Sequence, residues 1–135
     1  MTFMISFLCD TDFLISLHLA NESTHTQAVN IFQKYNSFLI LDITLYEVAT
    51  VLSRKLNHTD AISLLNLIQE NFIDVIAFKE KYEKLTFENY KIQKNKNTSF
   101  FDCAVLTVAI QNDYKIASFD KFYPEILRTE SKKIK

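Results

Sequence analysis

The 135-residue chain contains no glycine, where average usage of about 7% would supply about nine. That absence excludes a Walker A phosphate loop, a G-x-G-x-x-G dinucleotide fingerprint and a G-x-S-x-G nucleophile elbow. Turns that need a positive φ must fall on Asn or Asp, and Asn is plentiful. Cysteine is limited to Cys9 and Cys103, both in apolar surroundings and without C-x-x-C spacing. They make neither a disulfide framework nor a zinc site, and are expected to be buried reduced thiols of a cytoplasmic protein. No apolar run approaches the roughly 18 residues of a membrane span. The apolar N-terminus has no Lys or Arg before it and is interrupted by Asp10 and Asp12. It therefore reads as a buried first strand and not as a signal peptide.

A hydrophobic content of 48% in 135 residues fits one globular domain, 1–135, with 131–135 as a frayed tail. Its acids are placed unusually. Asp10 closes the apolar stretch 3–9, and Asp12 stands two residues on. Glu47 heads the apolar segment 47–56, Asp102 heads 103–110, and Asp120 closes 116–119. Acids are rarely buried unless paired or metal-bound. Several of them converging would repel one another and call for a divalent cation, which points to a metal-dependent hydrolase. Net charge is −1, but setting those five acids aside leaves 15 basic against 11 acidic side chains. The remaining surface is mildly basic and suits a polyanionic substrate.

Short apolar strands are expected at 3–9, 38–41, 73–78 and 114–118, with a further edge strand near 126–129. Helices are expected at 13–20, from Ser23 or Thr24 through Tyr35, to about Leu56 from a Thr44-x-x-Glu47 capping box, from Thr59 or Asp60 through Phe72, over 79–93, and from a Ser99-x-x-Asp102 capping box to about Gln111. The alternation predicts an α/β fold: a three-layer α/β/α sandwich on a mainly parallel sheet of four to five strands. In such folds the ligand site lies beyond the carboxyl ends of the strands, where Asp10, Asp120 and Glu47 should meet. Asp102 joins them if its helix begins at the same edge.

Taken singly, each acid has a structural explanation. Glu47 and Asp102 could be the third residues of their capping boxes, Asp12 the cap of the first helix, and Asp120 a turn residue. Arg54, one helix face along from Glu47, could reach substrate or be a solvated surface side chain. His18, His25 and His58 show no ligand spacing and read as structural or surface residues.

The chain resembles the PIN-domain nucleases, and within them the VapC-like toxins of bacterial toxin–antitoxin pairs. The resemblance is carried by Asp10-Thr11-Asp12-Phe13-Leu14-Ile15, where the family has Asp-Thr/Ser-Asn; by His25-Thr26-Gln27-Ala28; by Ile43-Thr44-Leu45-Tyr46-Glu47-Val48 with Leu52-Ser53-Arg54-Lys55; by Phe101-Asp102-Cys103-Ala104; and by Ile116-Ala117-Ser118-Phe119-Asp120-Lys121-Phe122, like the family's Thr-x-Asp-x-x-Phe. It implies that Asp10, Glu47, Asp102 and Asp120 are the catalytic, metal-binding acids. Asp12 stands where Asn is usual and is a further candidate ligand; Ser118 stands where Thr is commoner and would support the site. The implied cofactor is Mg²⁺ or Mn²⁺, and the implied activity is hydrolysis of RNA by metal-activated water. The implied partners are an antitoxin protein and a second copy of the chain, with no membrane. Apolar surface for the dimer is expected in the early helices. Two alternatives stay open. One is a non-catalytic PIN-like interaction module. The other is a haloacid-dehalogenase-type phosphatase, suggested by Asp10-x-Asp12, although Leu14 stands where that family wants Thr.

Overall fold

A computed structural model describes residues 5–94 and 97–124. The chain runs β1 (Ser6–Cys9), α1 (Thr11–His18), α2 (His25–Lys34), β2 (Ser37–Leu41), α3 (Asp42–Lys55) and α4 (His58–Leu67). A π-helical turn, Ile68–Phe72, leads to β3 (Asp74–Ile76), then α5 (Glu80–Ile92), α6 (Phe100–Asn112) and β4 (Lys115–Ala117). The four strands form one parallel sheet in the order β3-β2-β1-β4, the expected α/β sandwich. The expected edge strand near 126–129 and the frayed tail at 131–135 lie outside the described residues.

Strand alternation builds two cores. Phe7 and Cys9 of β1, Phe38 and Ile40 of β2 and Ala117 of β4 face one side. There they meet Phe13 and Leu14 of α1, Ala28 and Ile31 of α2, Val48 and Leu52 of α3, and Ala61 and Leu64 of α4. Leu8, Leu41 and Ile116 face the other side and pack with Tyr82 of α5, Ala104, Val105, Val108 and Ala109 of α6, and Tyr123. Both cysteines are buried free thiols, as expected.

The layering follows from connection handedness. Parallel crossovers are right-handed, so stepping from β1 to β2 to β3 lays α1–α4 on one face. The chain then returns past β1 to β4 and lays α5 and α6 on the other. The direction of travel reverses between β1 and β4, which makes the crevice beyond their carboxyl ends the switch point where open α/β sheets bind ligands.

Several helix ends differ from expectation. Asp10, not Asp12, caps α1: the Phe13 amide donates to Asp10 Oδ1 at 3.0 Å, so the helix begins two residues early. The Thr44–Glu47 capping box does not form. α3 opens at Asp42, whose Oδ1 accepts from the amides of Ile43 (2.7 Å) and Phe78 (3.1 Å). Asn57 caps α4 in place of Thr59 or Asp60, accepting from the Asp60 amide at 2.8 Å. Thr24 is the N-cap residue of α2 but makes no side-chain cap bond; its hydroxyl pairs with that of Ser16. The Ser99–Asp102 box forms fully. With no glycine to end α6, Asp113 takes the left-handed position at φ 57°. Among the described residues, the exposed large apolar side chains include Leu85, Phe87, Tyr90 and Ile92 of α5, whereas α1 and α2 expose none. The early helices spend their apolar residues on the core.

Candidate active site

Sheet register builds the first half of the site. Cys9 pairs with Ala117, and the Asp10 amide donates to the Ala117 carbonyl at 3.2 Å. The next residues, Asp10 and Ser118, therefore leave adjacent strand ends together. Asp10 is only 4% exposed. Its Oδ1 takes the Phe13 amide and its Oδ2 takes the Ser118 hydroxyl. Ser118 Oγ also lies 3.3 Å from Asp12 Oδ1, which is 3.4 Å from the Phe119 amide. The Asp120 amide donates to Ser118 Oγ at 2.9 Å, and Asp120 Oδ1 accepts from the Phe122 amide at 2.9 Å. Ser118 is thus the hub joining three acids.

The second half comes from the helices. Glu47 sits in the second turn of α3, half-buried, and accepts the Thr11 hydroxyl across from α1. Asp102 starts α6 on the opposite layer. Its Oδ2 accepts from the Ser99 amide at 3.0 Å, while its own amide donates to Ser99 Oγ at 3.1 Å.

Electrostatics ties the halves together. Burial pushes the Asp10 carboxyl well above the usual range, and a hydrogen bond and like charge from Asp12 push the same way, against the Ser118 and Phe13 donors. Burial also raises Glu47, with the Asp102 charge adding to it against the Thr11 bond. For Asp102 burial again comes first, with Asp120 and Asp12 raising it against the Ser99 bonds. Among the described residues, the charges that raise these three groups are those of neighbouring carboxylates. Acids that raise one another are a perturbed set of the kind that accompanies catalytic and metal sites. The donors are all hard oxygens, which fits a Mg²⁺- or Mn²⁺-type ion. Among the described residues no three such side chains are yet grouped closely enough to enclose an ion.

Arg54 lies elsewhere. It is exposed at the last turn of α3 and lines a groove of about 370 Å³ against α4, with Ser53, His58 and Ile62 among its neighbours. His25 has a structural job: its Nδ1 bonds the Ser16 carbonyl at 2.8 Å and ties α2 to α1.

Two residues escaped the sequence reading. Thr11, between two acids, holds Glu47. Tyr123, 1% exposed, is raised by burial and by the charges of Asp10, Asp102, Asp12 and Asp120. Counted out from Ser118, the Thr-x-Asp-x-x-Phe spacing ends on Tyr123 and not Phe122, so the signal was present but misread by one position.

An acid-lined switch point on a four-stranded parallel sheet defines the class: an α/β domain with a candidate oxygen-ligand metal centre. The PIN domain family model matches residues 7–126, and the chain belongs to that family. Its fold is similar to that of the Mycobacterium tuberculosis VapC20, described as a sarcin–ricin loop cleaving toxin, with 20% identity, TM-score 0.78, and 85% of this chain and 90% of that one covered. It is also similar to a chain of a toxin–antitoxin complex from Klebsiella pneumoniae, with 15% identity, TM-score 0.66, and 93% and 98% covered. A third is a chain of Rickettsia felis VapBC2 bound to a DNA fragment from its promoter, with 15% identity, TM-score 0.63, and 93% and 98% covered. No curated protein sequence matches. Family membership removes the haloacid-dehalogenase alternative.

Proposed function

We propose that this protein is a divalent-cation-dependent ribonuclease, the toxin of a toxin–antitoxin pair, which hydrolyses RNA phosphodiester bonds. One observation carries the reading: five acids from both helix layers and two strand ends act on one another at the switch point of the sheet. PIN family membership and the likeness to toxin structures support it.

Asp10 and Asp102 would hold Mg²⁺ or Mn²⁺ directly, with Glu47, Asp120 and Asp12 completing the set. When bound, the cation supplies charge neutralisation for the scissile phosphate and acidity for a water. The chain's own residues do the rest. Phe13 N–H and Ser118 Oγ fix the Asp10 carboxylate from two sides. Ser99 fixes Asp102. Thr11 holds Glu47, which would bind the metal or orient the attacking water. The mildly basic remainder of the surface attracts the RNA backbone, and Arg54 is a candidate contact outside the acid cluster.

The test is cleavage of RNA by the purified protein with Mg²⁺ or Mn²⁺, the sarcin–ricin loop being the first substrate to try. Asp10→Asn and Asp102→Asn should each abolish it; wild-type cleavage by either variant would sink the mechanism. Sequencing new 5′ ends after induced expression identifies the RNA. The proposal extends to a cytoplasmic protein with a homodimeric state and a small antitoxin partner. Light scattering after size exclusion, alone and with the neighbouring gene product, checks both associations. Among the described residues no helix is long and apolar enough to cross a membrane. A second reading, a non-catalytic interaction module, is favoured by one observation: the acids are not yet closed into an ion site. Calorimetric titration with Mn²⁺ separates the two, since the module predicts no metal-coupled RNA turnover.

A further inference from the structure

Phe87 and Tyr90 of α5 are 46% and 42% exposed, although both rings lean on Phe100, the half-buried first residue of α6. The Phe87 and Phe100 centroids are 5.1 Å apart with the rings tilted by 46°, and Tyr90 lies 5.9 Å from Phe100 at 73°. Neither contact is face to face, so Phe100 braces the two rings while their outer surfaces stay open to water. The core does not use them: α5 buries Tyr82 and Thr86 instead. Contiguous exposed apolar surface marks a binding site where scattered apolar residues do not.

The cluster stands at the edge of the sheet where the acids meet. α5 and α6 run antiparallel: Asn112, at the end of α6, donates to Tyr82 Oη at 3.0 Å near the start of α5, while Tyr90 meets Phe100 at the other end. The exposed rings therefore reach the end of α6 that carries Asp102. Phe100 also stands edge-on to Phe78 at 6.3 Å, and the Phe78 amide is bonded to Asp42 at the start of α3, the helix that carries Glu47. Charge indicates what covers the rings. From Asn89 to Phe101 the sequence has three lysines, Lys91, Lys94 and Lys96, and no acid, and it runs straight into Asp102. Phe87 has Lys84 and Lys91 as neighbours on the helix surface, against a single acid, Glu83. Ring faces set among cations suit single-stranded nucleic acid, whose bases stack on the rings while lysines hold the backbone. We propose that Phe87, Tyr90 and Phe100 form a platform for an unpaired base of the RNA substrate beside the acid cluster, with Lys84, Lys91 and Lys94 holding the flanking phosphates. A duplex, whose bases are already stacked on one another, cannot use the platform. This inference rests on the ribonuclease reading above.

The experiment is fluorescence titration of the full chain, made inactive by Asp10→Asn, with a single-stranded oligoribonucleotide carrying 2-aminopurine at successive positions, a base whose emission is quenched when it stacks. Binding should quench the emission, and the same strand annealed to its complement should bind more weakly. Adding Phe87→Ala and Tyr90→Ala together should weaken single-strand binding by at least about fivefold and remove the quenching. Leu85→Ala, two residues from Phe87 and so on another face of α5, should change neither. Unchanged affinity in the double variant, equal affinity for duplex and single strand, or binding without quenching overturns the platform; cleavage of RNA by the unsubstituted protein then leaves the nuclease reading intact. A double variant that passes from dimer to monomer in light scattering also overturns it, since the rings would then join two copies of the chain. If the unsubstituted protein neither binds nor cleaves RNA, the proposed function fails, and this inference with it.

Discussion

The acid cluster has two halves held in different ways. Asp10 and Asp120 follow the ends of β1 and β4, Asp12 sits in the first turn of α1, and Ser118 links all three. Their spacing is inherited from the register that pairs Cys9 with Ala117. Glu47 and Asp102 come from α3 and α6, on opposite faces of the sheet, and each has its own local support in Thr11 or Ser99. The strand-end half is an anchor, held by the hydrogen bonding of the sheet. The helix-borne half comes from the layers on either side of it. Fold and site share residues in the anchor, so a change there should register in stability and in chemistry together. A change in the helix-borne half should register in chemistry alone, except where a cap is involved.

Asp10→Asn is the strongest way to break this contrast. Cleavage should fall at least about 10³-fold, as loss of several kcal/mol of charge stabilisation requires. Stability should move the opposite way. Burial holds the folded-state carboxyl of Asp10 well above its ordinary value, so the folded state binds its proton more tightly than the unfolded chain does. That contribution favours the fold at low pH and is lost as pH rises through the raised value. At neutral pH, above the ordinary carboxyl value, an acid at this position therefore costs the fold stability that a neutral amide would not. The amide of Asn can still accept from Phe13 and keep the α1 cap. The metal-free variant should melt higher at pH 7, by about 4 °C for each kcal/mol relieved. The difference should shrink as pH falls, and a melting series on both proteins reads it. A variant that melts lower at pH 7 would show that Asp10 serves the fold more than the site.

Glu47→Gln tests the other half. Cleavage should fall about 10²-fold, the scale of losing one group that acts in proton transfer. Stability should be unchanged or slightly higher, because Glu47 caps no helix and its carboxyl is also raised by burial. Comparing kcat and the metal-free melting temperature with those of Asp10→Asn shows whether the two halves separate as described.

The same contrast explains what the sequence disclosed. The alternation of apolar strands with helices made the sheet, its parallel sense and its site edge legible, because those follow from burial pattern and handedness. Helix ends were less legible. Thr44-x-x-Glu47 has the spacing of a capping box, but Asp42 gains two amides, including Phe78 from beyond β3, and opens the helix earlier. That long-range bond has no local signature. The error mattered for function: Glu47, in the second turn of α3, caps nothing, while Asp10 caps α1. Asp12 was read as a companion of Asp10. The Ser118 hydroxyl between them makes that pairing physical, a contact 106 residues apart in the chain.

Asp102 is where the contrast is weakest, because it belongs to the helix-borne half and yet completes a real capping box. Ser99→Ala strips the cap and the side-chain bond to the Asp102 carboxyl while sparing the backbone one. It removes the hydroxyl that accepts the Asp102 amide at 3.1 Å and leaves the Ser99 backbone amide on Asp102 Oδ2. The loss should be about 1 kcal/mol of stability, seen as a melting temperature lower by about 4 °C. Cleavage should fall by no more than the tenfold at the low end for a supporting contact, since the backbone bond to the carboxylate survives. A loss of cleavage as deep as that of Asp102→Asn would mean that the Ser99 hydroxyl, through the cap, sets where Asp102 stands over the site, and that the helix-borne half is as dependent on local structure as the anchor is on the sheet.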